Sequence, residues 1–395
     1  MVPKGWLSTT IDDAKIKVID GDRGKEYPKS TDFLEAGYCL FLSAKNVTKS
    51  GFLFDELQFI NKDKDQKLRK GRVERGNIVL TTRGSVGQFA YFDDSVPYDV
   101  MRINSGMVVI DSSQSELSAR FLYALCRSSI VAKQIDAASF GSAQPQLTVG
   151  IIKGIKLPVP PLPEQNKIAK ILSTWDKAIS TTEQLLANSQ QQKKALMQQL
   201  LTGKKRLLDN NGVRFSGGWR ERLLGDISKI TTGSSNRQDS HMNGAYTFFD
   251  RSEDIRTSDT YLFDCEAVIV PGEGQDFIPK YFVGKFDLHQ RTYAIMDFPE
   301  CHGKFLFYAI HYFRSHFLSQ AVGSTVKSLR LPMFQKMKLN LPTFEEQQKI
   351  AVVISTADQE ITTLQQKLDA LKQEKKALMQ QLLTGKRRVK VVGAA

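Results

Sequence analysis

The segment KKALMQQLLTGK stands at 193–204 and recurs letter for letter at 375–386. Twelve identical residues do not recur by accident, and the offset of 182 holds upstream without a gap. Glu164, Gln165, Lys167, Ile168 and Ala169 reappear as Glu346, Gln347, Lys349, Ile350 and Ala351; Ser173, Thr174 and Asp176 reappear as Ser355, Thr356 and Asp358. Further back, Gly141, Ser142 and Leu147 match Gly323, Ser324 and Leu329. Solenoid units run about 20–50 residues, so a period this long is a duplicated domain with a helix attached. The openings of the two copies match at a different offset: Trp6, Ile11 and Asp13 correspond to Trp219, Leu224 and Asp226. Between opening and helix the copies share little. The chain therefore has two like helical parts and two unlike globular parts.

Each helical part opens on prolines, LPVPPLPEQ at 157–165 and LNLPTFEEQ at 339–347. Proline favours an extended entry followed by a helix start. Glu164, Glu345 and Glu346 fall in the first turn, where carboxylates suit the positive end of the helix dipole. Gly203 and Gly385 of LLTGK are typical residues for stopping a helix. Between these signals lie about 40 residues, or roughly 60 Å of helix. The apolar spacing alternates four and three, the pattern of a coiled coil. One seam reads Ile168, Leu172, Trp175, Ile179, Thr182, Leu186, Ser189, Lys193, Leu196, Leu200; the other reads Ile350, Ile354, Ala357, Ile361, Leu364, Leu368, Leu371, Lys375, Leu378, Leu382. A lone helix this amphipathic leaves its stripe in water. The two are expected to pair, antiparallel because the chain must return through the second globular part. The polar seam positions Thr182, Ser189, Lys193 and Lys375 read either as register specification or as contacts to a partner subunit.

The globular parts alternate apolar runs with turn signals, as in CLFLSAKNV at 39–47, NIVLTTRGSVGQFAYF at 77–92 and AVIVPGEGQDFIPKYF at 267–282. These read as strands and hairpins. Short helices are also expected, as in SELSARFLYALCRSSIVAKQI at 115–135 and KFLFYAIHYFRSHFLSQAV at 304–322. Two glycine-bearing loops, TTRGSVG at 81–87 and VPGEGQD at 270–276, sit at equivalent places. Glycine lets backbone approach a ligand closely, and Arg83, Ser85, Gln88, Glu273 and Gln275 have side chains suited to base edges or phosphates. The same loops also read as ordinary hairpin turns. GSAQPQL at 141–147 and GSTVKSL at 323–329 end each domain and read as connectors.

Lysine and arginine number 55 against 42 acids, a formal charge of +13, which attracts a polyanion. Nucleic acid leads, with a merely basic surface as the alternative. No apolar run of about 18 residues suggests a membrane span, and the start MVPKGWLSTT does not resemble a secretory leader. Cys39, Cys126, Cys265 and Cys301 form no C-x-x-C pair and read as reduced, mostly buried thiols of a cytosolic protein. There is no Walker motif, no Asn-Pro-Pro-aromatic tetrapeptide, no glycine-rich methyl-donor motif and no carboxylate–lysine cluster of a nuclease. His241, His289, His302, His311 and His316 all lie in the second globular part and read as structural or surface residues. No catalytic residue and no metal ligand is assigned.

The pieces LPVPPLPEQNKIAKILSTWDKAI and KKALMQQLLTGKKRL, their second copies, and the dissimilar domains between them closely resemble the specificity subunit of type I restriction–modification enzymes. The resemblance covers the whole chain. It implies an α+β architecture: target-recognition domains at 1–156 and 207–338, and helical spacers at 157–206 and 339–390 forming an antiparallel coiled coil with pseudo-two-fold symmetry. It implies that each domain reads one half of a bipartite double-stranded DNA site. The spacers set the gap and bind two modification subunits, which methylate adenine with S-adenosylmethionine. Restriction subunits, which use ATP and magnesium, join them. The chain itself is then non-catalytic, holds no cofactor, touches no membrane and works in a bacterial or archaeal cytoplasm. Its candidate DNA contacts are Lys45, Asn46, Thr82, Arg83, Ser85, Gln88, Arg102, Gln144 and Gln146 in the first domain. In the second they are Arg237, Arg251, Glu273, Gln275, Lys280, Lys327 and Arg330. The competing reading is a coiled-coil scaffold whose basic domains bind nucleic acid without sequence choice.

Overall fold

The computed structural model describes residues 2–139, 146–252 and 254–391, apart from the side chain of Ser139. Its contacts form two compact units. Unit 1 holds the residues up to Thr181 together with those from Leu368 onward; unit 2 is Thr182–Lys367. The two long helices, a central one over Leu162–Leu200 and a C-terminal one over Phe344–Leu382, each have 39 residues. Each gives one half to unit 1 and the other to unit 2. Among the described residues, no helix is long and apolar enough to cross a membrane.

In unit 1 the strand Met107–Asp111 lies between Lys17–Asp20 and Ile78–Thr81, both antiparallel to it, and Ile78–Thr81 then pairs with Phe89–Tyr91. A second sheet sets Cys39–Leu42 parallel to Met101–Ile103. In unit 2 the same antiparallel order recurs. Lys229–Thr232 pairs with Thr292–Met296, that with Phe263–Pro271, and that with Lys280–Leu288. Tyr246–Phe249 again joins in parallel, this time on Lys280–Leu288 itself. One nine-residue strand in unit 2 thus serves where unit 1 uses two short strands separated by the loop 92–100. Two domains with little sequence in common share this strand order, and in both the central strands are apolar and buried on both faces: Ile78–Thr81 and Met107–Asp111 in unit 1, residues 267–271 in unit 2.

Both offsets of the sequence repeat meet in one place. Leu7–Thr10 pairs with Lys156–Val159, and Arg220–Leu223 with Lys338–Leu341. Each domain is thereby closed at the point where its helix begins. The helices expected at 115–135 and 304–322 are each broken in two, as Ala119–Cys126 with Ser129–Ser139 and Gly303–Tyr312 with Ser315–Gln320. In the first, the buried Ser128 hydroxyl donates to the Leu125 carbonyl and accepts from the Ile130 amide, which competes with helix continuation. Burial pushes the thiols of Cys39, Cys126 and Cys301 up to about 12, so they remain protonated, and no cysteine is in a disulfide.

Candidate nucleic-acid interface and its anchorage

In unit 1 the loop 81–87 turns between strands Ile78–Thr81 and Phe89–Tyr91, with Gly84 at φ +71° and Gly87 at +83°. The buried Thr81 hydroxyl shapes it, donating to the Ser85 carbonyl and accepting from the Gln88 amide. The Thr82 amide bonds Gly106 O at 2.8 Å, and the Leu147 amide bonds Thr82 O at 3.1 Å. In unit 2 the Gly272 amide bonds Arg291 O at 2.9 Å and the Leu329 amide bonds Gly272 O at 2.8 Å. Leu147 and Leu329 are equivalent in the repeat, so Thr82 aligns with Gly272 and Arg83 with Glu273. In each unit the glycine-bearing loop therefore lies against the segment that read as a mere connector; Glu273 and Gly274 even pair with Ser328 and Lys327 as a short ladder.

The side chains on these frames differ. Arg83, Ser85 and Gln146 are exposed and Gln88 is half-buried. Ser85 and Gln88 line an open groove of about 480 Å³ with Lys45 and Lys49. In unit 2 Glu273 is held by Arg251 at 3.4 Å and by Arg291. Arg237 stands 3.9 Å from the buried Asp250 carboxylate, which burial alone would raise but hydrogen bonds from Ser252 keep below the usual range. Lys280 is half-buried, donating to Ser252 O at 2.6 Å, while Gln275 and Arg330 are exposed and Lys327 is half-buried.

Three candidates leave the set. Arg102 is buried, ion-paired to Asp65 at 2.5 Å, and donates to the carbonyls of Asp65, Leu68 and Lys70. Asn46 is buried and ties Ser43, Leu53 and Glu56 together. The Thr82 side chain is buried. All three serve the domain interior, because a buried polar group must be satisfied from within. Gln144 lies outside the described residues. Conversely, Lys49 and Arg291 were not singled out from sequence. Arg291 stands in the tight turn between two apolar strands, a position from which a cation projects into solvent.

The repeated residues anchor the domains. Glu164 is buried and accepts from Arg388 Nε and Nη2, both at 2.7 Å, and from Trp6 Nε1 at 3.2 Å. In unit 2 Glu346 accepts from Arg206 Nε at 2.6 Å and Nη2 at 2.7 Å. Gln165 accepts from the Ser118 amide and Gln347 from the His302 amide, each at 2.9 Å, at the start of a domain helix. Within unit 1 Glu164 meets Arg388 and Asp176 meets Lys375; within unit 2 Arg206 meets Glu346 and Lys193 meets Asp358. Numbers rise along one partner as they fall along the other, so the helical halves are antiparallel in each unit. The apolar seam residues Ile168, Leu172, Leu186, Leu200, Ile350, Ile354, Leu368 and Leu382 are buried. Trp175, Ile179, Leu196, Ile361, Leu364, Leu371 and Leu378 are half-buried. The seam lysines sit in ion pairs: Lys375 also lies near Arg127, which bonds Asp176 at 3.4 Å, and Tyr308 donates to Asp358 at 2.6 Å.

Burial raises the Glu164 carboxyl, but the bonds from Arg388 and Trp6 outweigh it and hold its pKa below the usual carboxylate range. A folded-state value depressed in this way contributes stability that is complete above the ordinary carboxylate range and is lost as pH falls through the folded value. The urea midpoint should therefore fall steeply below about pH 4.5 and less steeply in Glu164→Gln. An identical pH profile in the variant would remove Glu164 from the account.

These loops and clamps define a duplicated α+β chain on a helical frame. The chain matches the type I restriction modification DNA specificity domain over residues 3–188 and 216–373, and it belongs to that family. The EcoDI specificity subunit of Escherichia coli is 28% identical over 166 residues, which are 42% of this chain but only 37% of that subunit. The MjaVIII specificity subunit of Methanocaldococcus jannaschii is 24% identical over 434 residues, covering 98% of this chain and 94% of the relative. Among solved structures, the S subunit of the M. genitalium type I restriction-modification system has a TM-score of 0.66 at 15% identity, covering 97% of this chain and 96% of that one. A chain from work on complex assembly and conformational transition of the type I system has a TM-score of 0.56 at 17% identity, over 98% and 100%. At these identities the structural likeness speaks for the fold. Among the described residues no three His, Cys, Asp or Glu side chains are grouped so as to hold a metal ion.

Proposed function

We propose that this chain reads an asymmetric, bipartite double-stranded DNA site, one half per unit, and performs no chemistry itself. Two modification subunits seated on its helical repeats would methylate adenine with S-adenosylmethionine, and restriction subunits using ATP and magnesium would complete the complex. One observation carries this reading. The two loop constellations are closed by the same backbone bonds, Leu147 to Thr82 and Leu329 to Gly272, yet present different side chains. A common frame with different exposed groups is what two different half-sites require, since phosphate contacts position a protein and base-edge contacts specify sequence.

Methylome sequencing of cells carrying the chain with its partner subunits should show one split, asymmetric motif. Replacing Arg83 and Gln88 together should disturb one half of it, and replacing Gln275 and Lys280 the other. A continuous or palindromic motif would sink the two-reader assignment. Equal binding to specific and scrambled duplex at fixed salt would favour a scaffold without sequence choice.

A further inference from the structure

Arg83 differs from the other arginines around these loops in what holds it. With the Gln146 amide oriented to satisfy both side chains, its oxygen accepts from Arg83 Nη2 at 2.9 Å and Nε at 3.2 Å. Arg83 is exposed, and among the described residues no carboxylate pairs with it. Arg102, by contrast, is buried on a carboxylate and three carbonyls. A guanidinium carries five donors in a rigid plane. Gln146 occupies the side-on pair, Nε and one hydrogen of Nη2, and among the described residues nothing holds the remaining Nη1 and Nη2 hydrogens of the end-on fork. A neutral brace orients that fork without cancelling its charge. Lysine offers no such fork, so the two cations are not interchangeable at a bidentate site.

The equivalent position in unit 2 is Glu273, an acceptor already engaged by Arg251 and Arg291. The same backbone position thus presents a donor fork in one unit and a carboxylate in the other. Among base edges in the major groove, guanine sets two acceptors, O6 and N7, side by side to match an end-on arginine fork.

We propose that Arg83, braced by Gln146, is a specificity-determining residue that reads the major-groove edge of one guanine in the half-site of unit 1. The inference rests on the DNA-reading role proposed above and adds the base and the residue. Unit 2 has no counterpart of this contact, so its half-site draws its bases from other groups. Gln146 is a positioning residue: it touches the arginine and not the base.

The test uses the full chain with its modification subunits acting on a randomised duplex pool, followed by sequencing of the methylated molecules. The wild type should select a split motif with a guanine in the half that Arg83 controls. Arg83→Lys keeps the charge and removes the fork. It should relax that single base pair by about 10–100-fold and leave the rest of the motif and the melting temperature unchanged. Gln146→Met should relax the same base pair by less. If Arg83→Lys keeps every base preference, at full or uniformly lowered methylation, Arg83 contacts backbone or nothing and the proposal falls. It falls equally if neither half contains a guanine. A wild type that selects no split motif would instead overturn the two-reader function, a distinguishable result.

Discussion

Replacing Arg206 with methionine should destabilise the chain by about 3–5 kcal/mol, the usual consequence of stranding one partner of a buried ion pair. Glu346 is 0% exposed, and both of its oxygens are held by Arg206. No solvent reaches the carboxylate to replace the lost donors. At about 2–4 °C per kcal/mol for units of this size, the melting transition should drop by roughly 6–20 °C. Glu346→Gln should be milder, because the Arg206 side chain is 18% exposed and can turn toward water. Calorimetry of the two variants decides the matter; a loss confined to about 2 °C in Arg206→Met would show that the clamp is not a stability element. The clamp explains why LLTGK recurs with an arginine two residues beyond it, as LLTGKKR at 200–206 and LLTGKRR at 382–388. Gly203 and Gly385 adopt φ +69°, turning the chain so that Arg206 and Arg388 reach the first turn of the other helix. A side chain at Gly385 would place its Cβ 2.3 Å from Pro3, so the turn also needs the missing Cβ for space.

Reversing charge on the groove wall, with Lys45→Glu and Lys49→Glu together, should weaken duplex binding by about 10–100-fold at moderate salt across all sequences, because phosphate attraction is sequence-independent. Lys45 is mostly exposed and, among the described residues, pairs with the equally exposed Glu56 at 2.6 Å, a contact that contributes little to folding. The loss should therefore appear in binding and not in melting temperature. The deficit should narrow as salt rises, since exposed charges are screened within about 8–10 Å. Binding by filter or fluorescence at several salt concentrations reads this directly. An unchanged affinity, or a loss indifferent to salt, would move the phosphate track away from Lys45 and Lys49. The Lys49 carbonyl also accepts from Arg127 at 3.2 Å, and Arg127 bonds Asp176 of the central helix, so the groove wall is tied to the helical frame of its own unit.

Much of this was legible in sequence because it is local or repeated. Heptad spacing announced the seams, and every seam position is buried or half-buried, the polar Thr182, Ser189 and Lys375 among the buried ones. Prolines and LLTGK marked the ends of both 39-residue helices. What the seam lysines do was not legible: Lys375 and Asp176 are 199 residues apart, and only the antiparallel return brings them to 2.5 Å. Arg102 read as a DNA contact because a basic residue in a strand-rich, positively charged domain gives no local sign of pointing inward. Its acid, Asp65, is 37 residues away.

The chain alone determined the duplicated plan, the helix limits and the division into copied and uncopied parts, since these depend on spacing within one stretch of residues. Only the tertiary structure decided which polar groups face solvent. Loop 81–87 meets Gln146 and Leu147, and loop 270–276 meets the segment ending at Leu329, through contacts between stretches some 60 residues apart. A side chain becomes available to a ligand only when the interior has no use for it. That depends on every buried donor and acceptor finding its partner, and those partners are set by the fold as a whole.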